Sequence, residues 1–292
     1  MRRSNVDMQW KNYNGIQKVL YFTYYILDEF KNRNTLRYAY LEFVLTTKCN
    51  LNCENCAHLM NHYNDHHQYS FDEFKENIDL LFETVDYVIQ LRLLGGEPFL
   101  NRDLGKFLEY MLSDENISKK FSEIGITTNG TVVPDKKALE VMSDNKRTKV
   151  FISNYGEKSK RNIKLFNEKN ISFELESENQ IWFDPGQPVT HNRSVKELKK
   201  MYKGCYLKDI CNSYFDGEFH VCSKSNHGTR IGLIPKREED FARLKSCDSL
   251  QERRSKLLSL KKIDYIIACD YCDFMLKKPM KSKSDVSTDD ST

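Results

Sequence analysis

From residue 40 onward, short apolar runs alternate with longer stretches of helical spacing. Tyr40–Thr46, Tyr87–Leu94, Phe121–Thr127, Lys149–Ser153 and Ile171–Leu175 read as strands. Gln180–Phe183 reads as a sixth. Phe71–Thr84, Leu104–Leu112, Lys136–Met142 and Lys160–Lys169 have the helical period, and Ser70 with Glu73 three residues on forms a capping signature. Repeated strand–helix units predict a parallel sheet with right-handed crossovers. The expected fold class is α/β, a partial (β/α)6 TIM-like barrel followed by a small cysteine-rich α+β extension. The pattern divides the chain into an N-terminal helical segment (1–38, with an amphipathic helix at Ile16–Phe30), a barrel core (39–195), an extension (196–276) and a disordered tail (277–292). The tail is Lys, Ser and Asp with almost nothing apolar.

Polar motifs fall at the carboxyl ends of the strands. A cysteine loop follows the first, Gly95-Gly96-Glu97-Pro98 the second, Thr127-Thr128-Asn129-Gly130 the third and Ser153-Asn154-Tyr155-Gly156 the fourth. In a parallel barrel these ends open on one face, where sites are built. Four separate motifs therefore converge on one mouth.

Composition narrows the chemistry. The 292 residues carry a net charge of only +3, which is no footprint of a nucleic-acid binder. Nine cysteines without a signal-peptide cleavage site imply a reducing compartment, the cytoplasm, and metal work instead of disulfides. The apolar run Val19–Leu27 is too short to span a bilayer, so no stable membrane insertion is expected.

Three cysteines, Cys49, Cys53 and Cys56, have C-x3-C-x2-C spacing directly after the first strand. Three thiolates can hold three irons of a four-iron cluster and leave the fourth open. On thiol chemistry alone, a zinc site completed by His58 or His62 remains an alternative. With Gly95-Gly96-Glu97-Pro98 one strand later, residues Tyr40 to Phe183 resemble the radical S-adenosylmethionine (SAM) superfamily. The resemblance implies a SAM-binding 4Fe-4S cluster on Cys49, Cys53 and Cys56. It implies SAM held by Gly95, Gly96 and Glu97 at its methionine amino end, and by Asn129 and Ser153 at its ribose or carboxylate. It further implies one-electron cleavage of SAM to a 5′-deoxyadenosyl radical that abstracts a substrate hydrogen, driven by a low-potential donor such as ferredoxin or flavodoxin. The family's frequent aromatic residue before the third cysteine is here Asn55, which leaves the adenine contacts unassigned.

Cys205, Cys211, Cys222, Cys269 and Cys272 form a second group. Asp216-Gly217 is a two-residue hairpin signal, and Cys211 and Cys222 are equidistant from its centre. A zinc knuckle is one reading. The arrangement also resembles a Twitch or shortened SPASM extension, which implies a second, auxiliary 4Fe-4S cluster on four of the five. Cys247 reads as a free thiol. His58, His62 and His66 recur every fourth residue and read as a solvated cap over the cluster. Tyr155 lines a cavity or packs; His191 and Arg193 reach an anion or lie on the surface; Lys196, Lys199, Lys200 and Lys203 read as a solvated helix face.

The function expected is a radical SAM oxidoreductase acting on a small molecule such as a sugar or aminocyclitol. The alternative is radical modification of a peptide or protein, of the sulfatase-maturase or ribosomal-peptide type. The 38 residues before the barrel are too few for the winged-helix leader-binding domain of many peptide-modifying relatives. A non-catalytic electron carrier and a glycyl-radical activase are the remaining readings.

Overall fold

Strand β1 (Arg37–Thr46) divides the molecule into two faces. Its Leu41, Phe43 and Leu45 are wholly buried, and the alternate residues Tyr40 and Glu42 point the other way. The computed structural model describes residues 34–176 and 185–274. The expected helix at Ile16–Phe30, the strand at Gln180–Phe183 and the tail at 277–292 lie outside these residues.

Beside β1 run β2 (Tyr87–Gly95), β3 (Phe121–Thr128), β4 (Thr148–Ile152) and β5 (Phe173–Leu175), each parallel to its neighbour. The sheet order is β5-β4-β3-β2-β1-β6-β7-β8 and the sheet does not close. Strands added in sequence order through right-handed crossovers place all their helices on one face. Those helices are α1 (Phe71–Thr84), α2 (Leu104–Ser113), α3 (Glu115–Ser118), α4 (Lys136–Asp144) and α5 (Lys160–Glu168). The α/β, partial-barrel class expected from the pattern is the one observed.

Helix α1 shows how sequence sets an element. Ser70 and Glu73 complete both halves of the capping box. Phe74, Ile78 and Leu81 then recur on one buried face. Phe74 meets Phe43 edge-on at 5.3 Å and stacks on Phe107 of α2 at 4.2 Å.

The cysteine-rich part extends the same sheet. Helix α6 (Val195–Gly204) leads to β6 (Ser213–Phe215), which pairs in parallel with β1 through Glu42↔Ser213. The hairpin to β7 (Glu218–His220) turns at Asp216 and Gly217, both at positive φ, as the sequence predicts. Helix α7 (Ser223–Arg230), antiparallel β8 (Phe241–Arg243) and α8 (Leu250–Leu260) complete it. Among the described residues no helix is long and apolar enough to cross a membrane.

Candidate metal and cofactor site

The four polar motifs meet at the carboxyl ends of β1 to β4. The backbone of Gly96 donates to Thr46 O at 2.8 Å, and that of Glu97 to Lys48 O at 2.7 Å. These bonds splice the Gly-Gly-Glu turn onto the cysteine loop. A Cβ on Gly95 would lie 2.1 Å from Thr46 O, and one on Gly96 only 2.0 Å from Lys48 O, so the approach requires glycine at both positions.

Cys49, Cys53 and Cys56 share one electrostatic neighbourhood. Burial first, then Glu97, Cys56 and Cys53, pushes the Cys49 thiol up to about 12, against the Leu51 N–H that reaches its sulfur at 3.4 Å. Burial also raises Cys56, and the backbone N–H groups of Met60, His58 and Leu59 oppose the rise. Cys49 and Cys56, crowded beside Cys53 and each approached by backbone donors, resist ionisation until a cation arrives. That donor set fits an iron–sulfur cluster. Among the described residues no three His, Cys, Asp or Glu side chains are arranged to hold a single metal ion.

Asn129 reaches the same loop. Its amide nitrogen lies 3.9 Å from the Cys49 sulfur and donates to Asn50 Oδ1 at 3.0 Å. The Glu97 carboxylate is wholly buried and accepts from Phe99 N (3.0 Å), Thr128 Oγ1 (2.8 Å) and Asn129 N (2.8 Å). Burial pushes it up to about 7 in spite of these bonds. Ser153 follows β4 and is held to β3 by its N–H on Thr128 O at 2.9 Å. Tyr155 extends across the mouth, its hydroxyl 3.6 Å from the Cys53 sulfur.

The second cysteine group also gathers. Cys205 ends α6, Cys222 precedes α7, and Cys269 and Cys272 lie in and just after the turn Ile267–Tyr271. Burial raises Cys222, Cys269 and Cys272, and neighbouring thiols of the group, Cys205 among them in each case, raise them further. Cys211 is raised by burial, then by Glu42, Cys222 and Cys205. Extending the β6–β7 register puts it opposite Cys222, as the turn symmetry implies. His191 and Arg193 brace this knuckle. His191 Nε2 is 2.9 Å from Asp273, and Arg193 donates to Cys269 O and Asp270 O at 2.7 and 3.1 Å. Cys247 is buried apart, on Arg243 O.

Several residues on the inner sheet face escaped the sequence reading. Glu42 accepts from Ser223 Oγ and lies 3.6 Å from His58 Nε2. His227 is fully buried, with Nδ1 2.8 Å from the Tyr63 hydroxyl. Arg92 donates to Thr127 and Gln90 at 3.0 and 2.6 Å and stacks over Phe151. Two signals were available, Glu42 and Arg92, each the single charge within an apolar strand. The histidine spacing misled: Leu59 at positive φ breaks any helix, and His58 Nε2 is buried against Glu42 instead of capping in solvent.

Residues 43–175 match the family profile described as the Radical SAM superfamily. Over those residues, a little under half of the chain, the sequence is similar to the radical SAM domain. GTP 3′,8-cyclase of Aquifex aeolicus (strain VF5) is 30% identical over 129 residues, covering 44% of this chain and 38% of that protein. The chain thus matches well under half the length of that curated relative. Among solved structures, BtrN in complex with AdoMet and 2-DOIA aligns with a TM-score of 0.49 and 16% identity, covering 86% of this chain and 98% of that one. Streptococcus suis SuiB bound to precursor peptide SuiA aligns with a TM-score of 0.39 and 17% identity, over 85% and 53%.

Proposed function

We propose that this chain is a radical SAM oxidoreductase with two 4Fe-4S clusters, and that it oxidises a polar small molecule. The observation that carries the reading is the splice of the Gly95-Gly96-Glu97 turn onto the loop of Cys49, Cys53 and Cys56, which brings cofactor and metal motifs into one mouth. The three thiols would hold the first cluster, with Gly95, Gly96, Asn129 and Ser153 around SAM. When bound and reduced by a low-potential donor such as ferredoxin or flavodoxin, cluster and SAM together supply a 5′-deoxyadenosyl radical that takes hydrogen from substrate.

The extension is Twitch-like in this reading. Cys205, Cys222, Cys269 and Cys272 would hold the auxiliary cluster, since the last three are each raised by thiols of this group, Cys205 among them. Cys211 remains the fifth thiol, with Glu42 its strongest charged neighbour. A second redox centre in one chain suits a two-electron oxidation. The inner face supports a polar substrate. Tyr40, Glu42, Arg92 and Thr127 put a carboxylate, a guanidinium and hydroxyls on that face, the kinds of group that orient a polar ligand.

Anaerobic reconstitution tests the assignment. The wild-type chain should take up about eight irons. Cys53→Ala and Cys272→Ala should each remove about four, and only Cys53→Ala should abolish SAM binding. Uptake of zinc alone would overturn the reading.

A further inference from the structure

We propose that Glu97 is a positioning residue: its carboxylate fixes the turn after β3 against the cysteine loop and makes no contact with SAM. The proposal rests on the SAM-binding reading above and changes how the Gly-Gly-Glu turn performs it.

The carboxylate already has three protein donors on its two oxygens. Phe99 N and Thr128 Oγ1 approach one oxygen, and Asn129 N approaches the other. Phe99 and Thr128 are each only 1% exposed, so the partners are as enclosed as Glu97 itself. An ionised carboxylate has room for about four such bonds, and the position left over is closed off by burial, since Glu97 has no exposed surface for an ammonium ligand to reach.

The three bonds determine where Asn129 sits. With its N–H on Glu97, Asn129 turns its side chain onto Asn50 and toward the Cys49 sulfur. Its Oδ1 also accepts from Thr131 N at 2.9 Å and from Thr131 Oγ1 at 2.7 Å. Asn50 Nδ2 closes the ring on Thr131 Oγ1 at 2.8 Å. Thr128 Oγ1, which donates to Glu97, accepts in turn from Gly130 N at 2.9 Å. Meanwhile the Glu97 backbone N–H holds Lys48 O, one residue before Cys49. One residue thus ties the ends of β1, β2 and β3 together, by backbone on one side and by side chain on the other.

Hydrogen exchange on the full-length, reconstituted but SAM-free protein separates positioning from contact. In Glu97→Gln one oxygen becomes an NH2 group that must face a donor. Exchange at Phe99 and Asn129 should accelerate at least tenfold before any SAM is added, and SAM affinity should then fall at least tenfold. Thr128→Val removes one of the three bonds without altering the carboxylate. It should speed exchange at Asn129 and Gly130 and weaken SAM severalfold, although Thr128 is too buried to touch a ligand. A loss of SAM affinity in Glu97→Gln with protection of Phe99 and Asn129 unchanged would overturn the proposal, as would unaltered SAM affinity in both variants. If the wild-type protein failed to bind SAM, the functional reading would fall, and the exchange result would still report on the brace.

Discussion

At the scale of single residues, the structure turns on charges buried with their partners. Glu218 is the clearest outside the cysteine sites. Burial alone would raise its pKa, but His220 and Lys236 outweigh burial and hold it at about 2. Lys236 lies 2.7 Å away and Arg243 3.3 Å. A carboxylate with a depressed folded-state pKa contributes stability above its unfolded value and loses it as pH falls through the folded value. Its contribution should be complete above pH ~4.5 and disappear toward pH ~2. Glu218→Gln should cost about 2 kcal/mol at pH 7 in urea denaturation, and close to nothing near pH 2. An equal cost at both pH values would contradict the ion-pair account. The cysteines and Gly95-Gly96-Glu97 were legible in the sequence because their spacing is local. Glu42, Ser223 and His227 were not, because their meeting depends on β6 pairing with β1 across some 170 residues.

At the scale of elements, the loops at the strand ends are set by backbone approach. Gly96→Val would put a side chain where Lys48 O already stands. The cysteine loop should be displaced, and iron uptake at the first site should fall by more than half while the second site fills. Gly217 illustrates a different need. It sits at φ +78 in the β6–β7 turn, and an added Cβ would meet the Lys245 side chain at 2.4 Å. Gly217→Ala should lower stability by about 1–2 kcal/mol, measured by thermal unfolding; an unchanged midpoint would show that the turn relaxes. Strand and helix identities were readable because hydrophobic period and caps are local signals. Alternation also hid one fact: β1 buries both of its faces at Glu42, so its polar inner face looked like an interruption instead of part of a site.

At the scale of the whole molecule, the cysteine-rich part is an extension of the barrel sheet on the open side of β1. Besides the β1–β6 pairing, Arg254 of α8 clamps Asp86 bidentately at 2.8 and 2.9 Å, and Asp86 also accepts from Leu36 N. Arg254→Ala should cost about 1 kcal/mol, seen as one lowered cooperative transition. Two separated transitions would show that the halves fold independently. The strand–helix rhythm implied the parallel core but not where the extension attaches, because a three-residue strand such as β6 has too short a pattern to specify its partner.

The first cysteine loop and its neighbouring turn must act together on SAM. The most direct measurement is the release of 5′-deoxyadenosine from SAM by anaerobically reconstituted, chemically reduced protein. The wild-type chain should release it and Cys53→Ala should not. A wild-type protein that carries its iron and sulfide and is fully reduced, yet leaves SAM intact, would contradict it.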